Sequence, residues 1–210
     1  AASSNGRTNI VVDLEKIQIQ SYQLPPMKQK TDAIIYETSV RDFSMADSSG
    51  MKNKGKFLAF TEEGTSTDCG YSTGLDYLAR LGITHLQLMP INDFATVDER
   101  NPLELYNWGY DPAQYNVTEG SYVTDSEDGY KRIAEAKQMI EALHSRGIRV
   151  VLDVVYNHMH DVNQNALEKT VPHYFFRRYA DGNLSNGSWC GNDVNTTAKM
   201  CRKYILDMCK

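Results

Sequence analysis

Twice in this chain an amphipathic helical pattern stops at a glycine and runs straight into an apolar strand, and this repeat limits the fold more than any other feature. In "STGLDYLARLGITHLQLMP" (72–90), Ser72 or Thr73 is placed to cap a helix with Leu75, Leu78 and Leu81 on one side. Gly82 ends that helix, and "ITHLQLM" follows as a strand closed by Pro90. In "SEDGYKRIAEAKQMIEALHSRGIRVVLDVV" (126–155), Ile133, Ala136, Ile140 and Leu143 form the apolar stripe, Gly147 the stop and "IRVVLDVV" the strand. A third apolar run, "AIIYE" (33–37), suits a buried strand. Strands that alternate with helices and are too apolar for one-sided exposure predict an α/β fold with a parallel sheet covered by helices.

The connections narrow the choice. About 35 residues follow the second strand (91–125) and a similar span follows the third (157–192), while the helix-to-strand turns are very short. A (β/α)8 TIM barrel has this asymmetry, because its strand-to-helix loops build the active site at the C-terminal face. Only about three βα units are present, so the expectation is the first part of a barrel, truncated before strand 4, over residues 31–210. Residues 1–30 read as a connector from a preceding module: "VVDLEKIQIQ" alternates like a strand and "QLPPMKQKTD" breaks it. The last stretch, "VNTTAKMCRKYILDMCK", reads as a helix capped near Asn195 or Thr196, with Met200, Cys201, Tyr204, Ile205 and Met208 on one face.

Composition excludes some functions. A net charge of −5 without a basic cluster argues against a nucleic-acid partner. No apolar run approaches the roughly 18 residues of a membrane span. Cys69, Cys190, Cys201 and Cys209 form no CxxC pair, and free buried thiols are expected rather than disulfides or a zinc finger.

Chemistry concentrates after the second and third strands. "ELYNWGYDPAQYNV" (104–117) sets Tyr106, Trp108 and Tyr110 among Asn107, Gly109 and Asp111. Flat π faces beside hydrogen-bonding groups suit sugar rings, and they equally suit packing of a long loop. "GIRVVLDVVYNHMHD" (147–161) carries Asp153 within a strand and delivers Tyr156, Asn157, His158, His160 and Asp161 to its end. Buried polar groups need partners, so such a run implies a site, with Asp153 supporting it. His158, His160 and Asp161 make an incomplete ligand set for zinc.

"DVVYNH" (153–158) resembles the first conserved region of the α-amylase superfamily, and "YNWGYDP" (106–112) resembles the signature of its type I pullulanases. "AIIYETSVRDFS", "GKFLAFTEEGT", "GLDYLARLGITHLQLMPINDF" and "CGNDVNTT" resemble further landmarks of the same enzymes in the same order. The resemblance implies a retaining glycoside hydrolase that cleaves α-1,6-glucosidic branch links in pullulan, glycogen or limit dextrins. Tyr110 and His158 then contact the sugar beside the scissile bond, together with Trp108 and Asn107. Asp153, Asn157 and Asp111 support the site. The nucleophile, the acid/base and a second Asp come from later strands; no "GFRFD"-type segment occurs here, so no catalytic carboxylate is named and the isolated chain is expected to be inactive. No cofactor is expected to be required, calcium being the one candidate. The expected partner is an α-glucan, with a complementary chain or self-association completing the barrel. The alternatives are another amylase-type or glycogen-debranching hydrolase, a noncatalytic carbohydrate-binding fragment and a metal-dependent hydrolase.

Overall fold

The computed structural model describes residues 10–209. Three strands, β1 (Ile35–Thr38), β2 (His85–Leu88) and β3 (Arg149–Leu152), form one parallel sheet in the order β1-β2-β3. The register sets Glu37 opposite Gln87 and Gln87 opposite Val151. Side chains alternate across a strand. On one face Leu86 and Leu88 are fully buried, and Tyr36 and Val150 pack against the same core. On the other, Gln87 donates to Glu37 over 2.8 Å.

Five α-helical segments lie among the described residues: α1 (Asp42–Met45), α2 (Gly74–Leu81), α3 (Gly129–Ser145), α4 (Ala166–Thr170) and α5 (Lys199–Met208). Helices α2 and α3 precede β2 and β3, as the repeated pattern predicts. Gly82, at φ 75°, takes the left-handed cap where the first pattern stops. Asp128 caps α3 by accepting from the N–H groups of Tyr130 and Lys131. The core joins Leu75 and Leu78 of α2 and Met139 and Leu143 of α3 to Leu86 and Leu88 beneath Phe57 and Phe60. A second cluster of Tyr115, Met159, Val162, Phe176, Val194 and Cys201 holds the long loops to α5.

Several expectations change. Of the expected α3 stripe, Ala136 and Leu143 are buried, Ile140 packs against the core and Ile133 is half-buried; Met139 and, unexpectedly, Arg132 and Glu135 are buried with them, because both charged groups find partners inside. Arg132 pairs with Glu99, while Glu135 accepts from Thr124 N–H at 2.9 Å. Strand β3 ends at Leu152, so Asp153 sits just past the strand end, its N–H donating to Leu88 O at 3.1 Å. The first nine residues of the expected connector lie outside the described residues. Its remainder forms no strand, only a short 3-10 turn at Leu14–Lys16 and the start of another at Lys30–Asp32, with Tyr22 N–H donating to Glu141 of α3 at 2.6 Å. The cap of α5 falls at Ala198; of the expected face Met200 is exposed, while Cys201 is buried and Tyr204 and Ile205 pack against the second cluster. All four cysteines are free, but Cys69, Cys190 and Cys209 are exposed and only Cys201 is buried.

Candidate functional site

The C-terminal ends of β2 and β3 lead into two loops that meet. After β2 the chain folds back on itself: Asp93 N–H donates to Val117 O and Ala113 N–H to Asp93 O, both at 2.8 Å. This return carries the aromatic stretch over the strand ends. After β3, His160 N–H donates to Pro112 O at 2.8 Å, locking the two loops together. Sequence neighbours of Asp153 and of Tyr110 are thereby brought face to face.

Tyr110 donates its hydroxyl to the Asp153 carboxylate over 2.8 Å. Burial first, then this bond and the Asp153 charge, push the phenol up to about 12, so it stays protonated and remains a donor. His158 is buried, and its Nδ1 has no hydrogen-bond partner among the described residues. Burial holds its imidazole below the usual histidine value, against the raising effects of a hydrogen bond to the Tyr110 backbone and of the Asp111 carboxylate. Near neutral pH it is a neutral ring whose unpaired Nδ1 is shielded from solvent. Asn157 is exposed, and its carbonyl accepts from Val194 N–H at 3.0 Å.

The aromatic loop presents Tyr106, Trp108 and Tyr110 at 48%, 61% and 40% exposure around an open groove of about 450 Å³, which Asn107 and Asp111 also line. The resemblance implies a direct sugar contact for Asn107. In this structure its amide donates to Ala95 O, Thr96 Oγ1 and Asp111 Oδ1 at 2.7–2.8 Å and accepts from Gly109 N–H at 2.7 Å, so it braces the loop. Asp111 adds His160 Nδ1 at 3.6 Å. Two braces escape sequence reasoning. Tyr106 donates to Asp42 over 2.5 Å, and the Arg41 guanidinium lies 5.1 Å from the Tyr106 ring centroid while donating to Leu105 O at 2.8 Å. The adjacent "RD" pair at the start of α1 carries no local mark of such long-range contacts.

Among the described residues, one group of acidic or metal-ligating side chains comes close enough to share an ion: Asp93, Glu99 and Glu119, with ligand atoms within 4.8 Å of one another. It contains none of the predicted site residues, and His158, His160 and Asp161 form no such group. Arg132, fully buried, pairs with Glu99 and supplies the positive charge there.

The parallel sheet, with aromatic and imidazole groups gathered at its C-terminal edge, is consistent with the start of a barrel, and the chain belongs to the alpha-amylase catalytic-domain family, whose model matches residues 43–188. Within that family it is similar to pullulanases. It is 47% identical to the pullulanase of Bacillus subtilis (strain 168) over 99% of this chain and 29% of that protein. It superposes on the crystal structure of an Anoxybacillus sp. LM18-11 pullulanase complexed with maltotetraose with a TM-score of 0.95 and 47% identity, covering 99% of this chain and 30% of that one. A Paenibacillus barengoltzii pullulanase complexed with maltohexaose and alpha-cyclodextrin gives a TM-score of 0.94 and 45% identity over 99% of this chain and 33% of that one. The chain therefore spans about a third or less of these relatives.

Proposed function

We propose that this chain supplies the opening βα units of the catalytic (β/α)8 barrel in a retaining debranching hydrolase that cuts α-1,6-glucosidic links in pullulan, glycogen or limit dextrins. The observation that carries the reading is the junction of Tyr110, Asp153 and His158: an exposed ring anchored by a carboxylate beside a neutral imidazole whose Nδ1 is buried and unpaired. Likeness to pullulanases whose crystals hold maltotetraose or maltohexaose supports an α-glucan as the occupant.

In this reading the Tyr110 ring packs on the glucosyl unit at the cleavage point, and its bond to Asp153 fixes the ring plane. His158 hydrogen-bonds a hydroxyl of the same unit as the ring flattens toward an oxocarbenium-like state. Trp108 offers a second exposed ring; Asn107, Asp111 and Asn157 act through the loops they brace. The nucleophile and proton donor, two carboxyl groups about 5 Å apart in a retaining enzyme, come from strands outside residues 1–210. The isolated chain consequently has no turnover.

Kinetics of the full-length protein test this. A contact that strengthens in the transition state changes turnover more than ground-state binding. His158→Ala is expected to lower kcat more than it raises KM on pullulan, and Tyr110→Ala to change both. Lowered melting temperatures with unchanged kcat and KM would mean that both residues only pack loops. Turnover of maltohexaose without turnover of pullulan would reassign the linkage.

A further inference from the structure

The loop that follows the strand-end segment carries two large rings that the site just described does not use. Trp189 is 91% exposed and Tyr179 56% exposed. Trp189 also has φ +63°, in the left-handed region that a bulky side chain rarely occupies. Such a conformation persists only where surrounding structure over-determines it, and an exposed ring gains little from burial in return.

The surroundings are densely hydrogen-bonded. Asp193 accepts from Gly187 and Ser188 N–H groups at 2.7 Å each, and from the Ser185 hydroxyl. Gly191 N–H donates to Asn186 Oδ1 at 2.7 Å. Asn186 stands between the two rings: its N–H reaches Tyr179 Oη at 3.4 Å and its carbonyl accepts from Trp189 N–H at 3.4 Å. The side-chain Nδ2 of Asn186 takes part in none of these bonds. The loop is also seated on the wall that carries His158. Asn192 exchanges two hydrogen bonds with the Met159 backbone, at 2.7 and 3.0 Å, and Val194 N–H binds Asn157 O at 3.0 Å.

We propose that Tyr179 and Trp189, with Asn186 between them, form an outer α-glucan contact beside the Tyr110–His158 site. Two preset rings flanking an amide match a run of glucosyl units, whose C–H faces stack and whose hydroxyls take hydrogen bonds. Shared anchoring on residues 157–159 sets this loop beside the wall that carries His158. It is a specificity determinant for long substrates, and its ligand class rests on the function proposed above.

The test uses full-length protein with Trp189→Gly, which removes the ring while suiting the positive φ, and Tyr179→Ala, with Tyr110→Ala in parallel. Each outer variant is expected to lose about fivefold more kcat/KM on pullulan than on the shortest branched maltooligosaccharide the enzyme cleaves. Equal losses on both substrates, or none, overturn the outer contact. So does a lowered melting temperature for Trp189→Gly with an unchanged substrate ratio, which would mean that another part of the protein covers the ring. If Tyr110→Ala loses activity on both substrates while the outer variants match wild type, the central site stands and only this inference falls. Unchanged kinetics in Tyr110→Ala would remove the central site as well.

Discussion

Asp93, Glu99 and Glu119 place three carboxyl groups against one guanidinium, so their charges cannot all be neutralised by Arg132. Burial, then Glu119 and Glu99, push Asp93 up to about 8; burial and Glu99 push Glu119 up to about 7. Glu119 nevertheless accepts from Ser121 N–H at 2.7 Å and Phe94 N–H at 3.1 Å, and it organises the return that carries the aromatic loop. Asp93 Oδ2, by contrast, has no partner among the described residues. Raised acids bind their protons in the folded state after the unfolded chain has released them, from ordinary values of 3.8 and 4.5. Their contribution is therefore complete below about pH 4 and is lost as pH rises through 7 to 8. Asp93→Asn keeps the shape and removes one ionisation. Its stability in urea relative to wild type is expected to increase steadily as pH rises from 5 to 8. A variant whose stability follows pH as steeply as wild type would show that Asp93 does not titrate in this range.

Between elements, the decisive contact is Gly109 against the end of β2. Its φ is +90°, and a Cβ there would meet Pro90 O at 2.8 Å and Pro90 Cβ at 2.9 Å, so the aromatic loop runs directly over the strand terminus. Gly109→Ala must lift the loop or strain it, at a cost of about 1–3 kcal/mol. The expected result is a lower melting temperature together with a raised KM for pullulan, since Tyr106, Trp108 and Tyr110 all move. Wild-type values of both would show that the close approach is dispensable. This contact also marks the limit of what the sequence discloses. Helix stripes, glycine stops and apolar strands are local patterns, so α2, α3 and the three strands were legible in order. Tyr110 and His158 could be named because short motifs carry them. The bonds of Tyr106 to Asp42 and of Tyr110 to Asp153 were not legible, because they join residues 64 and 43 positions apart. The Arg132 pocket misled the helix reading for a similar reason: a charged residue counts as surface until its partner, 33 positions away, is known.

At the scale of the whole molecule, only β2 has a strand on each side among the described residues; β1 and β3 are both edges. Those edges leave apolar side chains uncovered: Ile34 and Ile35 at 56% exposure, Leu152 at 36% and Val154 at 37%. Unpaired strand N–H and C=O groups beside apolar surface form a template for another chain. A barrel removes such edges by closing, and three strands are too few to close one. The relatives are roughly three times longer, the chain covering 30% and 33% of the two crystal structures compared above, which leaves ample sequence for the remaining strands. Residues 1–210 produced alone are therefore expected to associate through β1 and β3, with a sedimentation coefficient that rises with concentration. Adding the rest of the full-length protein as a separate polypeptide is expected to convert this material into a one-to-one complex and to give pullulan turnover that neither part shows alone. A concentration-independent monomer with a sharp two-state melt would mean that the three-stranded sheet is stable without closure. Turnover by the purified 210-residue chain, unaffected by removal of trace contaminants, would place a nucleophile and a proton donor within these residues and contradict their assignment to later strands.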